Sequence, residues 1–91
     1  MKVLPATQLA AGDRDAFAAL YDRLGHALYK TAFSLTRSQH EAEDVIHDIF
    51  IDLATFRQGL LSIRNIDAYV FTMLRHAVIR WQRRRKMVSL Q

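Results

Sequence analysis

The stretch Ser38–Phe56, SQHEAEDVIHDIFIDLATF, limits the fold of this chain more than any other. Its apolar residues Ala42, Val45, Ile46, Ile49, Phe50 and Leu53 fall at i, i+3, i+4, i+7, i+8 and i+11. At about 100° per residue these positions line up as a single stripe, the pattern of a helix with one face on a core. Ser38 followed three residues later by Glu41 is the capping-box pattern that starts such a helix. Opposite the stripe stand Asp44, His47, Asp48 and Thr55, with Ile51 among them. Between Arg37 and Arg57 there are five acids and no Lys or Arg. A solvent face normally mixes both signs of charge. A one-sign face around a branched apolar residue is expected to dock something basic and apolar.

Flanking segments read as helices too. Residues 1–11 form a lead-in expected to be flexible, with Pro5 discouraging an early helix. Asp13 is a good N-cap, and Phe17, Leu20, Tyr21, Leu24 and Leu28 follow it at helical spacing. Gly25 interrupts that pattern at a cost of roughly 1 kcal/mol against Ala. It is read as a break between a first helix (13–24) and a second (26–36), the latter carrying Leu28, Tyr29, Ala32, Phe33 and Leu35. Arg37–Ser38 is a tight turn. Residues 58–64, QGLLSIR, lose the period and are expected as a loop. Its Leu60, Leu61 and Ile63 either tuck beneath the loop or line a pocket. Asn65 can cap a last helix with Asp67 in its first turn. The buried face there is Ile66, Tyr69, Val70, Met73, Leu74, Ala77 and Trp81, and the helix is expected to reach about Lys86. The fold class is all-α: a small bundle of about four helices with short connections. Residues 12–87 form the one helical domain, and 88–91 a frayed tail.

Charge is distributed unevenly. The net charge is +4 over 91 residues, yet no acid follows Asp67, while Arg75, Arg80, Arg83, Arg84, Arg85 and Lys86 crowd the end. An acidic middle and a basic end predict two different partners, one of them nucleic acid. On the last helix Thr72, Arg75, His76, Ile79, Arg80 and Arg83 project away from the buried stripe. Long cations beside short polar groups suit phosphates and base edges. The RRRK run adds attraction to any polyanion, although the same run could serve only as a solubilising tail at a helix C-terminus.

Other chemistry finds little footing. The chain has no Cys, hence no disulfide and no thiolate ligand or nucleophile, which suits a reducing cytoplasm. Asp44 and His47 have the acid-x-x-His spacing of di-iron bundles, but no second such motif exists and both point off the core stripe, so no metal or cofactor is expected. No serine sits in a nucleophile elbow, and the three glycines are scattered. An enzyme is not expected. The N-terminal MKVLPATQLA lacks a sustained apolar run, so no signal peptide is expected. The window Leu60–Ile79 is broken by Arg64, Asp67 and Arg75, which predicts no membrane span.

The order of these features resembles region 2 of the extracytoplasmic-function sigma factors, over about residues 9–86. Ala42-Glu43-Asp44-Val45-Ile46-His47-Asp48-Ile49-Phe50 is similar to the family's run of Ala-Glu-Asp, two apolar residues, Gln, an acid, an apolar residue and Phe. Asp13-Arg14-Asp15-Ala16-Phe17 with Leu20-Tyr21 resembles its opening motif. The resemblance implies a non-catalytic domain that docks on the clamp coiled coil of the RNA polymerase β′ subunit and recognises and melts the promoter minus-ten element. Asp44, His47, Asp48 and Ile51 would meet the clamp. The loop 57–65, with Arg57, Arg64 and Asn65, and the face of Thr72, Arg75, His76, Ile79, Arg80, Arg83 and Arg84 would hold the single non-template strand, one base flipped into a pocket at the loop. An anti-sigma factor is a further partner type, and a protein-interaction module without DNA contact is the alternative reading. The sequence departs from the family at His47, usually Gln; at His76, frequently Asn, beside the flipped base; and at Arg80, commonly Asp. A complete family member continues into a second helical domain, so an excised fragment is expected.

Overall fold

The computed structural model describes residues 6–89, with side chains through Lys86. Among the described residues there are four α-helices and no strand: α1 (Ala6–Ala10), α2 (Arg14–Thr36), α3 (Gln39–Thr55) and α4 (Ile66–Ser89), with a 3-10 helix over Arg57–Ser62 between α3 and α4. Three short polar side chains start the long helices. The Asp13 carboxylate accepts from the Asp15 and Ala16 amides at 2.9 and 3.4 Å. Ser38 Oγ accepts from the Glu41 amide at 3.2 Å, and Asn65 Oδ1 from the Ala68 amide at 3.0 Å. Each satisfies a donor that the first helical turn leaves unpaired.

α2 is one continuous helix, and the break expected at Gly25 is absent. Leu24 and Leu28 are buried on either side of the glycine. Burying each contributes about 1.5–3 kcal/mol, more than the ~1 kcal/mol that the glycine costs. Packing outvotes local propensity here. The helix stops instead at Arg37, whose backbone turns left-handed (φ 59°) and whose N–H donates to Phe33 O at 2.7 Å. Thr36 is buried at this corner and accepts from the Ser38 amide at 3.3 Å, which pins the turn into α3.

The core is a seam where α2, α3 and α4 meet. It collects Leu20, Leu24, Leu28 and Ala32 from α2, and Ala42, Val45, Ile46, Ile49 and Leu53 from α3. α4 contributes Val70, Leu74, Ala77, Val78 and Trp81. The α3 stripe is buried as its spacing requires, with Phe50 half-buried at the edge. Of the expected α2 positions, Tyr21, Phe33 and Leu35 are exposed.

Three other elements depart from expectation. Part of the lead-in expected to be flexible is helix α1, whose Leu9 and Ala10 are buried; residues 1–5 lie outside the described residues. The expected loop 58–64 is mostly the 3-10 helix, in which Leu60 is fully buried, Ile63 half-buried and Leu61 exposed by 62%. α4 runs on through Val88 and Ser89, past the end expected at Lys86, and residues 90–91 lie outside the described residues.

Candidate functional site

The outward face of α3 keeps its acids clear of Lys and Arg among the described residues. Asp44, His47 and Asp48 are exposed, and Ile51 is exposed by 50%. No Lys or Arg among the described residues forms an ion pair with these acids; Asp44 meets only His40, Nε2 to Oδ2 at 3.3 Å. A straight helix with a fixed N-cap presents this row, so the carboxylates have little freedom to collapse inward.

Asp44 and His47 also belong to a groove between α2 and α3. Its α2 wall is Phe17, Tyr21, Asp22, Gly25, His26 and Tyr29; its α3 wall adds Glu43, Ile46 and Phe50. Tyr21 and Phe50 meet edge to face, centroids 5.2 Å apart at 67°. Their rings give the groove an apolar floor, and Asp22, Glu43 and Asp44 give it an acidic rim. A Cβ on Gly25 would lie 3.5 Å from the Tyr21 ring, so the glycine leaves room beside that ring. The sequence reading missed the α2 wall. Gly25 flanked by aromatics one turn away on each side is the available signal for it, although by local propensity the glycine predicts a helix break.

The basic side is built differently, from side chains many of which are already engaged. Arg57 runs across Gly12, and its Nη1 donates to Ala54 O at 3.1 Å. Asn65 spends its Oδ1 on the α4 cap, and Thr72, half-buried, donates to Ala68 O at 3.1 Å. Arg64, Arg75, His76, Arg80, Arg83 and Arg84 are exposed, with Ile79 among them. The Arg23 guanidinium bonds Asp67 across from α2, so the last acid of the chain is matched by a cation. Arg85 lies over the Trp81 ring at 5.1 Å. Trp81 Nε1 in turn donates to Glu41 Oε1 at 2.8 Å. The capping box therefore closes on one side only: Ser38 takes the Glu41 amide, but the Glu41 carboxylate goes to α4.

Two exposed apolar side chains stand beside these cations: Phe56, which the sequence pattern did not single out, and Leu61, one of the three loop residues expected to tuck inward or line a pocket. Phe56 is exposed, sits directly over Gly59, and stacks on Tyr69 with centroids 6.2 Å apart at 28°. Leu61 is exposed in the same 3-10 segment. An accessible ring beside arginines can stack an unpaired base. Among the described residues no three His, Cys, Asp or Glu side chains gather as a metal site, and no helix is long and apolar enough to cross a membrane.

A family model, Sigma-70 region 2, matches residues 20–87. No curated protein and no solved structure gave a match.

Proposed function

The chain belongs to the sigma-70 region 2 family, and we propose on that premise that it is the minus-ten recognition and melting domain of an extracytoplasmic-function sigma factor. Region 2 is a non-enzymatic transcription-factor domain serving promoter recognition and RNA polymerase binding. On this reading Asp44, His47, Asp48 and Ile51 dock on the β′ clamp coiled coil, in the cytoplasm. The observation that carries it is the one-sign face of α3, whose acids meet no Lys or Arg among the described residues, around a half-exposed isoleucine. Basic helices would find there both charge and apolar contact, which sets orientation and speeds encounter.

The promoter strand goes to the other side. Arg64, Arg75, His76, Ile79, Arg80, Arg83 and Arg84 meet it, while Arg57, Asn65 and Thr72 fix the backbone from which that surface rises. Stacking of an unpaired base beside the 3-10 helix holds the strand open once it separates. The groove between α2 and α3 favours a second reading, an anti-sigma partner that occupies the domain without DNA, because its aromatic floor suits an apolar helix.

The deciding experiment is charge reversal. Asp48→Arg should weaken binding to a β′ clamp fragment on the order of ten-fold, about 1.4 kcal/mol, with helical circular dichroism unchanged. Unchanged affinity in a folded variant removes the docking assignment.

A further inference from the structure

α1 lies ahead of the stretch that the family model matches, residues 20–87. Five residues cannot sustain a helix in water by themselves, so tertiary contact must hold it. That contact is mainly with the 3-10 helix Arg57–Ser62 rather than with α2, its neighbour in the chain. Leu9, exposed by only 2%, joins the same core cluster as Leu60, the buried residue of the 3-10 helix.

The turn after α1 adds a second tie. Gly12 takes φ +80°, and the amides of Gly12 and Asp13 donate back to Leu9 O and Gln8 O at 3.0 and 3.1 Å. A Cβ at Gly12 would come 3.0 Å from Arg57 Nε. With no side chain there, Arg57 lies close across the turn while its Nη1 donates to Ala54 O in the last turn of α3, and a Cβ would make it shift. Ala11, Gly12, Ala54 and Arg57 line one small cleft at this junction. The segment that starts the basic side is therefore held at Leu60 by α1 and at Arg57 by the Gly12 turn.

We infer that α1 and the Gly12 turn are a positioning element for the 3-10 helix, with Leu9 and Gly12 as its positioning residues. The inference rests on the reading that this side of the domain receives the promoter strand. A short 3-10 segment ordered before the strand arrives does not need to be ordered by it, so folding rather than binding meets that entropy cost. Without α1, the strand would have to select one arrangement among many.

The test uses the 91-residue chain with Leu9→Ala, Gly12→Ala and a conservative Leu9→Met control. Amide exchange is read at Gly59 and Ile63, whose N–H groups bond Phe56 O and Leu60 O at 2.7 and 3.1 Å. In Leu9→Ala and Gly12→Ala these amides should exchange on the order of ten-fold faster, with the α3 amides unchanged. Affinity for a labelled single-stranded promoter-like oligonucleotide should fall several-fold, affinity for the clamp fragment should hold, and Leu9→Met should behave as the parent. Parental exchange in both folded alanine variants overturns the positioning role. So does faster exchange with unaltered oligonucleotide affinity, provided that Arg83→Ala still weakens that affinity. If Arg83→Ala is also without effect, the reading of the basic side falls, and the positioning role with it.

Discussion

The outer face of α3 and the surface built from the 3-10 helix and α4 differ in what holds their functional side chains in place. On α3 the backbone does most of this: consecutive turns of a capped helix hold Asp44, His47, Asp48 and Ile51 in line, and among the described residues the acids meet no Lys or Arg, Asp44 touching only His40 one turn away. On the other side, side chains serve the scaffold first. Arg57 bonds a carbonyl, Asn65 caps a helix, Arg85 covers a tryptophan, and a buried leucine anchors the segment. A surface that meets a rigid helical partner needs only a rigid row of charge. A surface that captures a flexible strand needs a shaped edge, and shaping it consumes polar groups.

The contrast is broken most severely at Leu60. Leu60→Ala should destabilise by about 2–5 kcal/mol in urea unfolding, because it opens a cavity at a fully buried site. Its damage should appear first in the 3-10 helix and last in α3, as read by site-resolved exchange. A smaller effect is expected at Trp81. Trp81→Phe removes the donor to Glu41 and should cost about 1 kcal/mol, since the half-buried carboxylate can then turn to water. Clamp binding should survive this change if the α3 face is self-sufficient.

Arg83 tests the basic side alone. Arg83→Ala should weaken single-strand binding several-fold and lower the salt slope of log K by about 1, as expected for one lost phosphate contact. Clamp-fragment binding should not respond. The smallest effect is a gain. Arg37 holds a left-handed backbone at the end of α2, so Arg37→Gly should stabilise by up to about 1 kcal/mol in thermal unfolding. Because Arg37 lies on neither surface, both binding activities should stay at parental levels.

Much of the bundle was legible because its signals are local. Asp13, Ser38 and Asn65 cap helices through bonds that span at most three residues, and the α3 stripe repeats with the helix itself. The exposure of the four proposed docking residues followed from that same period. What stayed illegible depends on distant partners. Gly25 sits inside a helix because Leu24 and Leu28 find a core, which local propensity does not register. α1 exists because Leu9 joins a core shared with a residue some fifty positions later in the chain. Glu41 abandons its own helix start for Trp81, forty residues away. The groove was hidden for the same reason, since its α2 wall becomes a site only when α3 lies alongside.

The pairing of Trp81 with Glu41 has a practical side. The chain has a single tryptophan, and its indole lies where the helix with the acidic face begins and the arginine-rich turns of α4 start. Intrinsic emission from the unlabelled protein therefore monitors that junction directly. A shift on adding clamp fragment, strand or both would show whether occupancy at one end is felt at the other.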